Sequence, residues 1–201
     1  MEAGRKVVGQ HYTGNKASSY DSNRMRNPKW MTETSVVENF VRQHTDIKTV
    51  IDAPLGTNRY GLFLESCTHV ETVLGYELSE DMIAEARKAI SSKLQIFQHD
   101  LILQPIKEKG DMSIIMRMLN LFDEENSIRI LNNILNATEK YSILSLRHWL
   151  NEPKKVEGKI TIQNFHVMER AMNQAGFDII AEKMVNDKRE GQYSIFTLQK
   201  S

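Results

Sequence analysis

Three acidic side chains occupy positions from which they could bind one ligand together. Asp52, Glu77 and Asp100 each follow a short apolar or β-branched run of the kind that forms a strand in a parallel sheet. The carboxyl ends of parallel strands lie along one edge of a sheet, and open α/β sheets bind their ligands at that edge. One acid at the end of a strand is common, but three in succession predict a single crevice that contains all three carboxylates.

The turn after the first of these strands narrows the choice of ligand. Glu77 lies about one strand–helix–strand unit beyond this turn, where dinucleotide-binding folds place an acid that accepts hydrogen bonds from both hydroxyls of a ribose. The turn is a poor cradle for a pyrophosphate, because Gly56 is the only glycine between Asp52 and Tyr60 and because Pro54 has no N–H. A ligand with a ribose and no phosphates therefore fits better.

Strands and helices alternate along most of the chain. Helices are predicted over residues 30–44, 59–66, 79–90, 123–137 and 164–175, strands over 48–53, 72–77, 94–99, 112–119, 141–146, 177–185 and 193–198, and a loop over 151–159. Ser79 is expected to cap one helix and Gly176 to end the last. The pattern predicts an α/β domain over residues 29–201, preceded by an arm or lid over 1–28. Its seven-stranded sheet is expected to be mostly parallel, with one antiparallel strand and helices on both faces.

Composition argues against several classes of protein. Among 201 residues, 26 Lys and Arg balance 26 Asp and Glu, so no net charge attracts nucleic acid or an anionic membrane. Cys67 is the only cysteine, so it is expected to pack as a small apolar side chain and suits a reducing compartment. The sequence has neither a signal-peptide core at its start nor an apolar run of membrane-spanning length. These features predict a cytoplasmic protein.

In combination, five segments resemble the motifs of class I S-adenosylmethionine (SAM)-dependent methyltransferases of the small-molecule type. They are V-I-D-A-P-L-G-T-N-R at 50–59, G-Y-E-L-S-E-D-M-I at 75–83, Q-H-D-L at 98–101, G-D-M-S-I-I-M-R-M-L at 110–119 and M-N-Q-A-G-F-D-I at 172–179. The resemblance implies a Rossmann-like doubly wound fold, SAM as cofactor and S-adenosylhomocysteine (SAH) as product. Pro54 and Asn58 stand where the family often has glycine.

The resemblance also implies a role for each residue of the cofactor site. Asp52 would serve the amine end of the methionine portion, Glu77 would hold the ribose hydroxyls, and Asp100 would accept a hydrogen bond from the adenine amino group. Further cofactor contacts are implied for the first turn, at Ala53, Pro54, Gly56 and Thr57, and for the adenine side, at Leu78, Met82 and Leu101. Contacts are also implied for Arg117 and Met118 at the end of the fourth strand and for Tyr12 in the N-terminal segment. No metal site is predicted.

Methyl transfer is an in-line displacement from a sulfonium, so a protein mainly has to align the acceptor atom and exclude water. A general base is optional. His148, after the fifth strand, is the first candidate, and an ordinary surface or hydrogen-bonded histidine is the open alternative. Tyr20 is a second candidate catalytic residue, while His166 and His11 are weaker ones. Trp30 and Trp149 could form a wall of an apolar acceptor pocket, but both are expected to pack in the core.

The sequence favours a small acceptor over a nucleic acid. The segment after the fourth strand is R-M-L-N-L-F at 117–122, which contains no Asp-Pro-Pro-Tyr-like motif, and the chain has no Pro-Cys nucleophile. The predicted reaction is methylation of an O or N atom of a small molecule, and a protein side chain as acceptor stays open as an alternative. The alternative is a non-catalytic or divergent protein that binds SAM and acts through a partner.

Overall fold

The computed structural model describes residues 14, 17, 19, 20, 27–89, 91–150, 154–156, 160–185 and 191–201. Tyr12 and His11 lie outside these residues. In chain order the elements are α1 (Pro28–Gln43), β1 (Thr49–Asp52), α2 (Gly61–Ser66), β2 (Thr72–Glu77), α3 (Glu80–Ala86), β3 (Leu94–Gln98), β4 (Gly110–Ile115), a 3-10 turn (Leu119–Leu121), α4 (Glu124–Leu135), β5 (Thr138–Trp149), β6 (Lys154–Val156), β7 (Ile160–Asn164), α5 (Phe165–Gln174), β8 (Phe177–Val185) and β9 (Gln192–Lys200).

Seven of the strands form the predicted sheet in the order β3-β2-β1-β4-β5-β9-β8. Strands β1 to β5 are parallel, β9 is antiparallel to both β5 and β8, and β8 therefore runs in the same direction as β5. The predicted fold class is confirmed: a mostly parallel Rossmann-like sheet with one antiparallel strand among the seven. The strand order reverses between β1 and β4, and this reversal opens a crevice at the carboxyl ends of those strands.

Helices cover both faces of the sheet. Successive side chains of each strand point to opposite faces, so the strands contribute to apolar clusters on both faces. In β1, Val50 belongs to an apolar cluster with Val37 and Val41 of α1, whereas Ile51 belongs to a second cluster with Ile130 of α4 and residues of α5. Cys67 packs in the first cluster, and burial raises the pKa of its thiol. Its expected role as an apolar packing residue agrees with this position.

The residues that cap the two ends of the helices follow from the sequence. The Ser79 hydroxyl accepts a hydrogen bond from the Met82 N–H (3.4 Å), as predicted, and Asn164 accepts from the first turn of α5. Gly176 follows α5 with φ +81°, which is the left-handed conformation that favours glycine after a helix.

Three sequence predictions of secondary structure are wrong. β5 spans Thr138–Trp149 rather than 141–146, so that His148 lies within the strand and not after it. β4 ends at Ile115 rather than at residue 119, because the backbone turns to φ +58° at Arg117 and the apolar run continues into the 3-10 turn, where Leu119 is fully buried. The predicted loop over 151–159 contains part of a hairpin, in which β6 pairs antiparallel with β7. β7 also pairs with His148 and Trp149 of β5. One edge of β5 is paired with β9 as far as His148. β7 therefore pairs with the opposite edge of β5, beyond the point where β4 stops pairing with it.

Within the described part of the chain, no helix combines the length and apolarity needed to cross a membrane.

Candidate functional site

A cavity lies at the carboxyl ends of β1 to β4, where the strand order reverses. Its wall contains most of the residues predicted to bind a cofactor, namely Asp52, Pro54, Gly56, Thr57, Glu77, Leu78, Met82, Asp100, Leu101, Arg117 and Met118. Tyr20 also lines it. Ala53 is fully buried, with its N–H donating to the Ile114 carbonyl (3.0 Å), and is not among the lining residues. The structure therefore brings together side chains from four strands that are far apart in sequence.

The Glu77 carboxylate shapes the turns on either side of it. Its Oε2 accepts a hydrogen bond from the Gly56 N–H (2.9 Å), and its Oε1 accepts from the N–H groups of Leu78 and Ser79 (3.0 Å each). Burial raises the pKa of Glu77, and the three N–H groups oppose that shift because they favour the charged form. The hydrogen bond from Gly56 to Glu77 thus ties the turn after β1 to the end of β2. Both residues line the cavity.

The turn after β1 accommodates its unusual residues without a second glycine. Asn58 adopts φ +64°, a left-handed conformation that asparagine tolerates better than most residues. Its side chain lies where a Cβ on Gly61 would stand, only 2.2 Å from the Asn58 Nδ2, which explains why residue 61 is glycine. Gly56 also has a positive φ of +59°, and the Ala53–Pro54 bond is cis. The turn therefore keeps a left-handed geometry through asparagine.

The other two strand-end acids differ in their surroundings. Asp52 is 3% exposed, and burial raises its pKa well above the usual value, with Arg59 acting in the opposite direction. Asp100 has Oδ1 bonded to the N–H groups of Ile102 (3.0 Å) and Leu103 (3.3 Å), so it orders the loop after β3. All three predicted acids line the cavity, and two of them also hold its loops in place.

Besides Asp52, a second buried acid, which the sequence analysis missed, organises one side of the cavity. Glu33 of α1 is fully buried, and its carboxylate accepts from Arg59 Nη1 (2.7 Å), from Arg117 Nε (2.8 Å to each oxygen) and from the Tyr193 hydroxyl. Arg59 also donates to Thr34 Oγ1. A signal was present, because Glu33 falls on the inward face of α1, whose other buried residues are Trp30, Val37 and Val41.

An aromatic wall adjoins this acid. Trp30 is buried, as expected, and it also lines the cavity, with the Arg59 guanidinium 3.6 Å from the centre of its ring. Tyr20 meets Trp30 edge-to-face at 6.1 Å. Trp149 is 46% exposed, so the expectation of a core position was wrong for it.

The histidine predicted as a base does not line the cavity. His148 is buried between Phe165 and Phe196, and its Nε2 lies 3.1 Å from the hydroxyl of Ser194. Burial lowers its pKa, and Glu182 acts weakly against that shift. The weaker candidate, His166, is also outside the cavity wall.

Of the histidines that the structure describes, His99, just before Asp100, is the one that lines the cavity. Its Nε2 lies 3.0 Å from the Gln104 carbonyl. Among the described residues, no group of three or more His, Cys, Asp or Glu side chains could hold a metal ion.

Solved structures of methyltransferases have a similar fold. The magnesium protoporphyrin IX methyltransferase from Synechocystis PCC 6803 with bound SAH has a TM-score of 0.76 and 15% identity, over 98% of this chain and 100% of that one. The SAH complex of an O-methyltransferase from a trans-AT PKS multienzyme of Brevibacillus brevis has a TM-score of 0.70 and 12% identity, over 99% of this chain and 80% of that one.

A SAM-dependent methyltransferase from Clostridium acetobutylicum has a TM-score of 0.69 and 11% identity, over 92% of this chain and 97% of that one. A scan against protein-family models finds no match, and a search of the curated proteins finds no similar sequence. At these identities the likeness is one of fold: the chain has the fold of class I SAM-dependent methyltransferases.

Proposed function

We propose that this protein is an enzyme that binds SAM in the cavity and transfers its methyl group to an O or N atom of a small molecule. The observation that carries the proposal is the arrangement of Asp52, Glu77 and Asp100 around one cavity at the point where the strand order reverses. The shared fold supports it, since two of the similar structures were solved with SAH.

Glu77 is proposed to bind the ribose. Three backbone N–H groups hold its carboxylate in a fixed orientation. A carboxylate has about four acceptor positions, so capacity remains for a ribose hydroxyl. The side chain is ready to accept a hydrogen bond without first being ordered, and preorganisation of this kind favours affinity.

The remaining parts of SAM match the rest of the wall. Asp52 is proposed to face the ammonium group, because a nearby cation favours the charged form of a carboxylate that burial otherwise destabilises. Asp100 and Leu101 are proposed for the adenine. Apolar side chains on either side of the 3-10 turn, Met118 before it and Phe122 after it, would exclude water from the methyl group.

Catalysis is proposed to rest on alignment and exclusion of water, since His148 does not line the cavity. Tyr20 remains a candidate for contact with the acceptor. We also propose that residues 1–28 cover the cavity as a lid, because Tyr20 is part of its wall and the Gly14 N–H donates to Asp81 Oδ2 in α3 (3.0 Å). Tyr12 keeps its proposed cofactor contact within this segment.

Calorimetric titration with SAM and SAH tests binding. The wild-type protein should bind both ligands. Replacing Glu77 by Ala should weaken binding by roughly 10- to 100-fold, the range for a hydrogen bond to a charged group. The matched control is Glu71→Ala, because Glu71 is exposed and immediately precedes β2, at the opposite end from Glu77.

The outcomes separate the hypotheses. A folded wild-type protein that binds neither ligand at high micromolar concentration would refute the proposed function, and equal affinities of the Glu77 and Glu71 variants would remove the ribose assignment. Incubation of the protein with methyl-labelled SAM and a pool of metabolites should label an acceptor. SAM binding with no labelled product would instead favour the non-catalytic protein that acts through a partner.

A further inference from the structure

Two arginines share one buried carboxylate beside the cavity. Arg59 and Arg117 both line the cavity, and both bind Glu33, which supplies one negative charge for two positive ones. Asp52 is the nearby acid that faces Arg59, but burial raises its pKa well above the usual value and so weakens its ability to balance the second charge. A ligand with a negative charge would complete the balance.

The two arginines differ in how fully their donors are used. Arg59 donates from Nη1 to Glu33, from Nε to Thr34 and from Nη2 to both Thr34 and the Trp30 carbonyl. Arg117 donates to Glu33 through Nε alone, and its buried Nη2 has no hydrogen-bond partner among the described residues. A guanidinium has five N–H donors, so Arg117 has the greater unused capacity.

Arg117 is also held in a fixed position. Its backbone N–H donates to Ser145 Oγ (2.8 Å), and its backbone adopts φ +58°. In the side chain, Nε lies 2.8 Å from each carboxylate oxygen of Glu33. The guanidinium lies 5.5 Å from the centre of the Trp30 ring. A planar guanidinium that is already oriented suits a carboxylate, because two parallel N–H groups match its two oxygens.

We propose that Arg117 is the binding group of a carboxylate subsite in this cavity, and that Glu33 acts as its positioning residue. The inference rests on the proposed function, which offers two sources of the carboxylate. One is the methionine portion of the cofactor, and the other is a carboxylate on the methyl acceptor. The chemistry at Arg117 is the same in both cases.

The first arm of the test addresses the cofactor. SAH and its decarboxylated analogue are titrated into the wild-type protein and into Arg117→Met. If the cofactor supplies the carboxylate, the wild type should bind SAH roughly 10- to 100-fold more tightly than the analogue, and the variant should bind the two almost equally.

The second arm addresses the acceptor. Benzoate and its uncharged counterpart benzamide are titrated into the protein with and without saturating SAH, because an aromatic carboxylate suits a wall that contains Trp30 and Phe122. If the acceptor supplies the carboxylate, benzoate should bind in the millimolar range, benzamide should not, and Arg117→Met should lose benzoate binding.

Two further variants keep the test informative. Arg129→Met removes an exposed arginine of α4 and should change neither arm. If Arg117→Met does not fold, Arg117→Gln replaces it, because its amide can still donate to Glu33 but carries no charge. The subsite is refuted if a folded Arg117 variant discriminates between SAH and its decarboxylated analogue as strongly as the wild type does, and also does not differ from the wild type in its binding of benzoate. Failure of the proposed function differs from this result, since the wild type would then bind no SAH at all.

Discussion

At the scale of single residues, Asn58 shows how a turn can lose a glycine and keep its shape. The residue takes a left-handed φ of +64°, and Gly61 leaves space for its side chain. The missing glycines had been the main departure from the family pattern. Because asparagine enters the left-handed region at a small energetic penalty, this substitution is compatible with the same turn.

Gly56 is the position in this turn where a side chain should be harmful. Gly56→Ala places an L-residue at φ +59° and should lower the free energy of unfolding by about 1–2 kcal/mol. Relief of this strain would move the Gly56 N–H away from Glu77, so SAH affinity should fall roughly tenfold. Urea unfolding and calorimetry measure the two effects.

Gly176→Ala is the control for that prediction. Gly176 also has a positive φ, and a Cβ there would have no atom within 4 Å, but it lies after α5 and outside the cavity wall. It should lose similar stability and keep its affinity for SAH. Equal SAH affinities in the two alanine variants would contradict the role of the Gly56 turn.

Single residues also show what a sequence can reveal of a site. The strand-end acids were predictable because an apolar run fixes where a strand ends and therefore which side chains meet at that edge. Glu33 was not predicted, because its partners Arg59, Arg117 and Tyr193 come from distant segments whose contacts depend on the tertiary fold. His148 was predicted to follow the fifth strand, whereas it lies within β5, and the direction of its side chain depends on the pairing of β5 with β9.

At the scale of elements, buried amides attach the β6–β7 hairpin to the cavity wall. The Asn120 amide donates to the carbonyls of Arg147 (2.9 Å) and Thr161 (3.1 Å), and its oxygen accepts the Arg147 N–H (3.0 Å). The Gln163 amide donates to the carbonyls of Leu119 (2.9 Å) and Phe122 (3.1 Å). These bonds join backbone groups of β5, β7 and the 3-10 turn region through two buried side chains.

Removal of the Asn120 amide should loosen the hairpin. Asn120→Ala leaves buried backbone groups without partners and should lower the free energy of unfolding by about 2–4 kcal/mol. Hydrogen exchange in β7 should accelerate more than in β1. Asn173→Ala, on the exposed surface of α5, should change stability by less than about 0.5 kcal/mol. Unchanged exchange in β7 would show that the amide does not hold the hairpin.

Sequence periodicity explains both the successes and the errors for these elements. Strand β2 and strand β8 have the predicted bounds, because clear turn residues flank their apolar runs. The prediction for β4 was too long because the 3-10 turn is as apolar as the strand before it. The hairpin lies in a charged segment with Pro153 and Gly158, and β7 pairs with the end of β5, a contact that its sequence pattern does not mark.

At the scale of the whole molecule, alternation of helices and strands was enough to predict the sheet and its covered faces. Right-handed crossovers and short connections leave few ways to arrange such a chain. The position of the cavity follows from the strand order, whereas its detailed lining depends on α1 and on the turns. The general site was therefore predictable, and its charged wall was not.

Stability should depend on pH through His148. Burial lowers its folded-state pKa below the ordinary value of 6.5, so the unfolded chain takes up a proton that the folded protein resists. As the pH falls through 6.5 toward the folded pKa, this histidine should progressively reduce the free energy of unfolding.

Urea unfolding of the wild type and of His148→Gln at about pH 7.5 and about pH 5.5 measures this contribution. The loss of stability on acidification should be smaller in the variant, whatever its absolute stability. His166→Gln, at an exposed position on α5, should lose as much stability on acidification as the wild type. An identical loss in His148→Gln and the wild type would contradict the prediction.

The β6–β7 hairpin is attached at the end of β5, away from the strands that carry the three acids. The hairpin and the acid-bearing strand ends could therefore change independently. The three strand-end acids stand on β1, β2 and the end of β3, whereas the hairpin contacts the wall near the 3-10 turn through Asn120 and Gln163. Variation in the length or sequence of the hairpin would therefore reshape one side of the cavity and leave the acids in place. Under the proposed function, selectivity for new acceptors could be engineered there while the proposed SAM contacts are conserved.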